Sequence, residues 1–522
     1  MVKRVLAAVG LAAVVATSLA YALARDGRDA EAAGKGKPPV VLLIFDEFPT
    51  DLLLAPDGRI DAGRYPALAD LARSGSWFPN ATTTFDSTTK AIPQIIDGQF
   101  PRKGTPPNYA GHPRSLYDVF GRKGYEIRRA EAATSVCPPR WCPGARRRRP
   151  AILTQLQEGR RERLARFLRS IRPADKPTFW LGHILLPHGP YMFLPSGKQT
   201  RASWADPIPG MNSTPGFYSD YLALHAQQRL QLQIGFVDRE LGRLFARMRR
   251  EGTFDRSLIV VTADHGISSE SGVGSRRSTD MGNIDELAPV PLFVKAPHQK
   301  RGQVVRSYAR TTDVAPTIAD LLNARLPYRA DGRSAFSRAV RERRGAMVIR
   351  RDFRGRLRIS ARELERRRAA LLRTRLDRFG HGDWDSLYTG IGPSRGLIGR
   401  AATELPSNGD GGGPRAHPQA AIAGAAALRA VRPDSLVRPT QIAGTIAGGG
   451  RRETRPIAVA VNGTIEATGV SFHLHLPKAQ RARASESFAV MVPERSIRPG
   501  RNRVEVFEIV GDGRSLRLLG ST

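Results

Sequence analysis

Three stretches of this chain end in side chains able to hold a cation. The apolar run at 258–262 closes on Asp264-His265-Gly266, the run at 40–45 on Asp46-Glu47, and the run at 178–186 leads into Pro187-His188-Gly189-Pro190-Tyr191. Carboxylates and imidazoles at strand ends are groups that can hold a divalent cation. A lone Asp-His pair is as often an ordinary strand-end turn. Three such ends make a site only if the elements carrying them lie side by side.

Those elements are legible in the periodicity. Leu230, Ile234, Val237, Leu241, Leu244, Phe245 and Met248 recur at three- and four-residue steps and Gly252 follows, which predicts a long amphipathic helix feeding the strand at 258–262. After a Gly/Lys/Pro stretch, 40–45 reads as a central parallel strand. Helices are predicted at 65–74, 115–123, 160–171 and 314–322, the last capped by Asp313, with strands at 125–129, 178–186 and 290–295. Alternating strand and helix builds βαβ units, hence an α/β fold with a mostly parallel sheet, whose ligands collect beyond the carboxyl ends of the strands. His183, inside the 178–186 strand, reads as a satisfied core histidine. The arginine-rich helix predicted at 361–378 reads as packing across the sheet with its arginines in water. Beyond residue 395 a Gly/Pro/Ser-rich stretch leads into short alternating runs. Residues 457–461 and 464–467 flank Asn462-Gly463 as a hairpin, and with 488–492 and 504–509 they predict a small antiparallel β-sandwich.

Lys plus Arg number 82 against 48 Asp plus Glu, a formal charge of +34 over 522 residues. Such charge bears on partners rather than on fold. It suits phosphate-bearing envelope polymers or an anionic membrane surface. Nucleic acid is not expected, since no nucleic-acid motif accompanies it, and a generally arginine-rich proteome is the bland account. Lys3 and Arg4 precede the apolar run 5–24, which ends Ala22-Leu23-Ala24. That is a signal peptide or, because the run is long enough to span a bilayer, a single N-terminal anchor. Either places the body outside the cytoplasm, in the envelope or secreted. The only two cysteines, Cys137 and Cys142, fit a local disulfide in an oxidising compartment, whereas a thiolate metal site needs more of them.

In their order along the chain, Asp46-Glu47, the stretch from Thr88 to Gly98, His188-Gly-Pro-Tyr, the helix carrying Asp238 and Thr262-Ala-Asp-His-Gly resemble the alkaline-phosphatase superfamily. The likeness is to its sulfatase-like branch, which includes lipoteichoic-acid synthases and phosphoethanolamine transferases, and it runs from Val40 to Leu322. It implies a doubly wound α/β core with a metal at the strand ends. Type I sulfatases need a Cys or Ser, converted to formylglycine within C/S-x-P-x-R, ten residues before a glycine. Ten residues before Gly98 stands Thr88, with Pro93 five further on and no Pro-x-Arg. Threonine does not become formylglycine by that route, and a threonine here looks like the phosphoryl-transferring relatives.

By this resemblance Thr88 is the nucleophile, activated by the cation. The resemblance likewise implies Asp46, Thr88, Asp264 and His265 as the ligands of one divalent metal, with Glu47 as a fifth; this oxygen-rich set with one imidazole suits Zn²⁺ or Mn²⁺ and also takes Mg²⁺ or Ca²⁺. His188 is the substrate-side histidine, binding a phosphoryl oxygen or protonating the leaving alkoxide. Lys90, Arg276 and Arg277 could neutralise an anionic substrate. Each has a plainer alternative: Thr88 as a helix cap beside Ser87 and Thr89, Glu47 as an exposed turn carboxylate, the arginines as surface charge.

The expected organisation is a signal or anchor at 1–24, a linker at 25–38, a sulfatase-like catalytic domain at 39–395, a linker at 396–430 and a C-terminal β domain at 431–522. The expected activity is an extracytoplasmic metal-dependent phosphoester hydrolase or phosphotransferase acting on a phosphate- or sulfate-bearing envelope lipid or glycan. Two alternatives stand beside it: sulfate-ester hydrolysis without formylglycine, and a non-catalytic envelope-binding protein.

Overall fold

Residues 40–46 are apolar almost throughout because they form the centre of a sheet covered on both sides. The computed structural model describes residues 36–143, 151–201, 219–269, 271, 276–406, 418–448, 454–473, 486–511 and 513–522. The expected signal or anchor at 1–24 and most of the 25–38 linker lie outside them. The main sheet comprises β1 (Val40–Asp46), β2 (Ser76–Trp77), β3 (Glu126–Ala130), β4 (Thr178–Pro187), β5 (Leu258–Ala263), β6 (Leu292–Lys295) and β7 (Gln303–Val304). Their spatial order is β3-β4-β1-β5-β6-β2-β7. Strands β3, β4, β1 and β5 run parallel, β6 is antiparallel to both β5 and β2, and β2 and β7 are parallel. The sheet is therefore mostly parallel, with β6 as its one reversed member.

Seven helices matter for the site and its support: α1 (Pro66–Ser74), α2 (Thr88–Asp97), α3 (Leu116–Arg122), α4 (Arg160–Ser170), α5 (Asp220–Arg250), α6 (Val314–Leu321) and α7 (Ala361–Phe379). Alternation along β1 divides the core in two. Val41, Leu43 and Phe45 pack with α1, α4 and α5, while Val40, Leu42 and Ile44 pack with α2, α3 and α6. This is the doubly wound arrangement, in which helices on both faces make every strand position apolar. Asp313, expected to cap α6, makes no side-chain cap bond there. Its carboxylate instead accepts from the Arg310 and Arg333 amides and pairs with Arg343.

The arginines of α7 are expected in water, but two of them are buried. Arg368 is buried against Asp51 at 3.0 Å and donates to the Pro79 carbonyl, and Arg375 donates to the Leu54 carbonyl at 3.1 Å. Periodicity missed them because a guanidinium with a buried acceptor behaves as a core group.

After the hairpin of β8 (Gly345–Ile349) and β9 (Arg356–Ser360), the C-terminal part forms two four-stranded antiparallel sheets. Strands β10 (Gln419–Ile422), β11 (Gln441–Ala447), β14 (Phe472–His473) and β15 (Glu486–Met491) make one. Strands β12 (Pro456–Val461), β13 (Thr464–Val470), β16 (Val504–Val510) and β17 (Ser515–Ser521) make the other. Ile442, Phe488 and Val490 from the first pack with Ile457, Val459 and Val506 from the second, so this is a β-sandwich. The turn joining β12 to β13 places Asn462 at φ 53° and Gly463 at φ 92°, the left-handed pair that a two-residue hairpin requires. Strand β10 falls within 396–430, expected as a linker, yet it pairs with β11 and belongs to the sandwich.

Cys137 and Cys142 are joined as a disulfide. Among the described residues no helix is long and apolar enough to cross a membrane.

Candidate active site

The period of two in the strands places the polar groups. Ile44 lies in register with His183 on β4 and Thr262 on β5, and its side chain faces α2. Two residues further on, Asp46 and Asp264 therefore emerge on that same face at the carboxyl end of the sheet. Helix α2 starts there, with Ser87 at its N-cap and Thr88 as its first residue. It ends at Gly98, whose left-handed φ of 71° turns the chain away.

Asp46, Asp264 and His265 present donor atoms that all lie within 4.8 Å of one another, and all three are buried. The Thr88 hydroxyl joins them, 3.5 Å from Asp46 Oδ1 and 3.3 Å from His265 Nε2. Ser87 and Thr89 face each other at the exposed start of the helix, 3.4 Å apart. Of the three adjacent hydroxyls, Thr88 is the one directed at the cluster. His265 Nδ1 lies 2.8 Å from the Gly266 carbonyl. A carbonyl only accepts, so Nδ1 carries a proton and the neutral ring turns the Nε2 lone pair toward Thr88.

The electrostatics of the cluster are those of acidic groups crowded out of water. Burial and the adjacent Asp46 push the Asp264 carboxyl up to about 6. Burial acts on Asp46 in the same direction, but His188, His183 and His265 outweigh it and hold that carboxyl well below the ordinary range. Burial would lower His265, yet Asp264, Asp46 and Glu47 raise it. Asp264 Oδ1 accepts from the His265 amide at 2.7 Å and the Glu47 amide at 3.2 Å, whereas Oδ2, fully buried, has no hydrogen-bond partner among the described residues. A buried carboxylate oxygen without a donor is costly, and a divalent cation removes that cost. Two carboxylates, one imidazole and one hydroxyl around a shared space fit a single such ion.

Glu47, expected as a fifth ligand, lies outside this donor cluster, and it is not an exposed turn carboxylate either. It is fully buried, and its backbone adopts a left-handed φ of 56°. Its carboxylate meets Arg276 at 3.1 Å, Arg277 at 3.5 Å and His188 Nε2 at 3.4 Å. Burial would raise the Glu47 carboxyl, but Arg276 and His188 bring it down. A cationic patch thus adjoins the cation cluster, and Glu47 is its counter-charge. Lys90 is not part of the patch: its ammonium donates to the carbonyls of Arg102 at 3.0 Å and Thr105 at 2.6 Å.

Periodicity did not reveal the groups that hold the His188 turn. Buried Arg160, from α4, donates to the His188 carbonyl at 2.7 Å and the Pro190 carbonyl at 2.5 Å. Gln233, from α5, donates to Pro187 and His188 and accepts from the Met192 and Phe193 amides. Their only sequence signal is a polar residue on an otherwise buried helix face. Asp238, further along α5, accepts from the Ala67 and Leu68 amides at 3.1 and 2.8 Å and so caps α1 from a distance. His183 is not the satisfied core histidine expected. Among the described residues neither ring nitrogen finds a hydrogen-bond partner, and Nε2 lies 3.7 Å from Asp46 Oδ2.

A family model described as Sulfatase matches residues 38–324. Lipoteichoic acid synthase 2 of Bacillus subtilis is 35% identical over 115 residues, covering 20% of this chain and 17% of that protein. The multifunctional alkaline phosphatase superfamily protein PehA of Trinickia caryophylli is 34% identical over 102 residues, 19% of each chain. The chain thus aligns with less than a fifth of either relative's length. The crystal structure of the phosphonate monoester hydrolase of Agrobacterium radiobacter superposes with a TM-score of 0.44 at 18% identity, covering 60% of this chain and 80% of that one.

Proposed function

The chain belongs to the sulfatase family, and from that premise we propose an extracytoplasmic, metal-dependent phosphoester hydrolase or phosphotransferase whose nucleophile is the Thr88 hydroxyl. The observation that carries the reading is the convergence of Thr88 with Asp46 and His265 at 3.5 and 3.3 Å. Asp46, Asp264, His265 and Thr88 would hold the ion. When bound, a divalent cation makes the threonine alkoxide accessible near neutral pH and neutralises charge on the phosphoryl oxygens.

The Thr88 oxygen attacks phosphorus, the ester bond to the leaving alcohol breaks, and a phosphothreonine remains. His188 supplies the proton that the leaving alkoxide takes up. Arg276, with Arg277, faces the phosphoryl oxygens from the cationic patch in bidentate fashion, as guanidinium groups suit phosphate. The start of α2 adds positive dipole potential on the nucleophile's side. Water or an acceptor alcohol, giving its proton back to His188, then attacks phosphorus, and the bond to the Thr88 oxygen breaks to release the side chain. The substrate class is an anionic ester of an envelope lipid or glycan, in keeping with the reading of residues 1–24 as an export signal or anchor, and the disulfide supports an oxidising compartment.

The test is turnover of aryl phosphomonoesters, phosphodiesters and sulfates by wild type and Thr88→Ala, with Mn²⁺ or Zn²⁺ and with chelator, alongside mass spectrometry of the quenched reaction. Expected are chelator-sensitive phosphoester turnover, a trapped phosphothreonine at residue 88, and a loss of at least about 10³-fold in kcat for Thr88→Ala. Equal turnover by the variant removes Thr88 from the chemistry. The second reading is sulfuryl transfer, compatible with membership of the sulfatase family, and it predicts sulfate release with no phosphothreonine.

A further inference from the structure

His183 occupies a position where the strand calls for an apolar side chain. On β4, Phe179 and Leu181 point to the face covered by α2 and α3, and His183 is the next residue on that face. Its side chain is fully buried. Among the described residues neither buried ring nitrogen has a hydrogen-bond partner, an arrangement that is costly unless a nearby group uses them. Among the described residues the acidic group within ion-pair range is Asp46, with His183 Nε2 3.7 Å from Oδ2. The two oxygens of Asp46 are thereby divided. Oδ1 faces the Thr88 hydroxyl at 3.5 Å, and Oδ2 faces the imidazole. The irregularity between Phe45 and Asp46 in the pairing of β1 with β4 shifts Asp46 from the regular register at the level where this contact is made.

We propose that His183 is a positioning residue for the cation site, its Nε2–H directed at Asp46 Oδ2 so that Oδ1 stays turned toward Thr88 and the ion. An imidazole behind a carboxylate ligand limits rotation of the carboxylate and spares the outer oxygen an empty, buried lone pair. A 3.7 Å separation is longer than a hydrogen bond, so without the ion the contact is electrostatic. The inference rests on reading Asp46 as a cation donor, and it goes beyond that reading by assigning a role to a residue outside the donor cluster.

The experiment is calorimetric titration of the full chain with Mn²⁺, comparing wild type, His183→Leu and His183→Gln, with melting temperatures in EDTA for each. Leu removes the N–H at similar volume, and Gln restores a donor. Expected are a Mn²⁺ dissociation constant about 10–100-fold weaker for His183→Leu, substantial recovery for His183→Gln, and EDTA melting temperatures that do not follow this order. Wild-type affinity in His183→Leu, or affinity in His183→Gln as weak as in His183→Leu, overturns the proposal. If His183→Leu does not fold, His183→Met takes its place in the same comparison. A wild type that binds no Mn²⁺ removes the cation reading of Asp46 and this proposal with it, so the two failures are told apart by which protein fails.

Discussion

Asp264 and His265 must both shed protons to hold a divalent cation, and both are shifted toward keeping them. Asp264 sits at about 6, raised by burial and by Asp46, and His265 is raised by Asp264 and its neighbours despite its burial. The sign follows directly: cation and proton compete for the same lone pairs, so affinity is full at high pH and falls as pH drops through the shifted values. Mn²⁺ affinity measured by calorimetry between pH 8 and pH 5 is expected to weaken about tenfold per unit once pH falls through the raised His265 value, and to steepen toward about a hundredfold per unit below roughly pH 6, where Asp264 takes up its proton as well. A flat profile down to pH 5 would show that these two groups are not the donors. The neighbouring patch follows a different rule. Glu47 already neutralises Arg276 and Arg277, so Glu47→Gln leaves two guanidinium groups with a weaker partner. That variant is expected to bind inorganic phosphate more tightly than wild type in the same titration, and weaker binding would argue that Glu47 supports the site by holding the arginines in place.

At the level of elements, the site depends on helices that never touch the cation cluster. Gln233 on α5 satisfies four backbone groups of the turn that carries His188, two carbonyls and two amides. Gln233→Leu removes this partner from all four groups, of which the His188 carbonyl keeps its bond from Arg160, and its expected cost is about 2–3 kcal/mol in urea unfolding. A fall in kcat/KM should accompany it as His188 loses its fixed position. Asp238 caps α1 through the Ala67 and Leu68 amides, far from the chemistry. Asp238→Ala is expected to lose about 1–2 kcal/mol of stability while leaving Mn²⁺ affinity unchanged. The match of this helix to the family pattern then reflects packing, with Asp238 acting as a cap.

For the whole molecule, two features set behaviour that no single element explains. The disulfide closes a short loop, Cys137 to Cys142, so its reduction is expected to cost only about 2 kcal/mol. A thermal melt with and without reductant should show a modest shift and no loss of fold. The formal charge of +34 makes binding of anionic polymer salt-dependent through long-range attraction. Turnover of a small aryl phosphoester at the buried cluster is expected to fall far less between low and physiological salt than retention on an anionic polymer does. Parallel loss of both would place the reaction on the surface. The β-sandwich also bears on the site, because Gln199 in the segment after Tyr191 exchanges backbone hydrogen bonds with Leu436 and Arg438, and Tyr221 of α5 donates to the Ala489 carbonyl.

Strands, helices and the candidate groups at their ends were readable from the chain alone, because a strand buried on both faces is apolar without interruption and a helix beside it repeats every three to four residues. The Val40–Asp46 and Leu258–Ala263 strands, the Asp220–Arg250 helix and the hairpin at Asn462-Gly463 carry those signals at full strength. Local pattern cannot say which side chains meet across the sheet. That Thr88 faces His265 while Lys90 turns to the Arg102 and Thr105 carbonyls follows from where α2 starts over the strand ends. Likewise, Glu47 meets two arginines and His183 meets Asp46 only because the order β4-β1-β5 and the doubled cover of helices bring distant residues together in a buried space. Residue type and spacing determined which chemistry the chain could carry; long-range packing decided which of those groups share one site, since burial and proximity are properties of the fold and not of the order of residues.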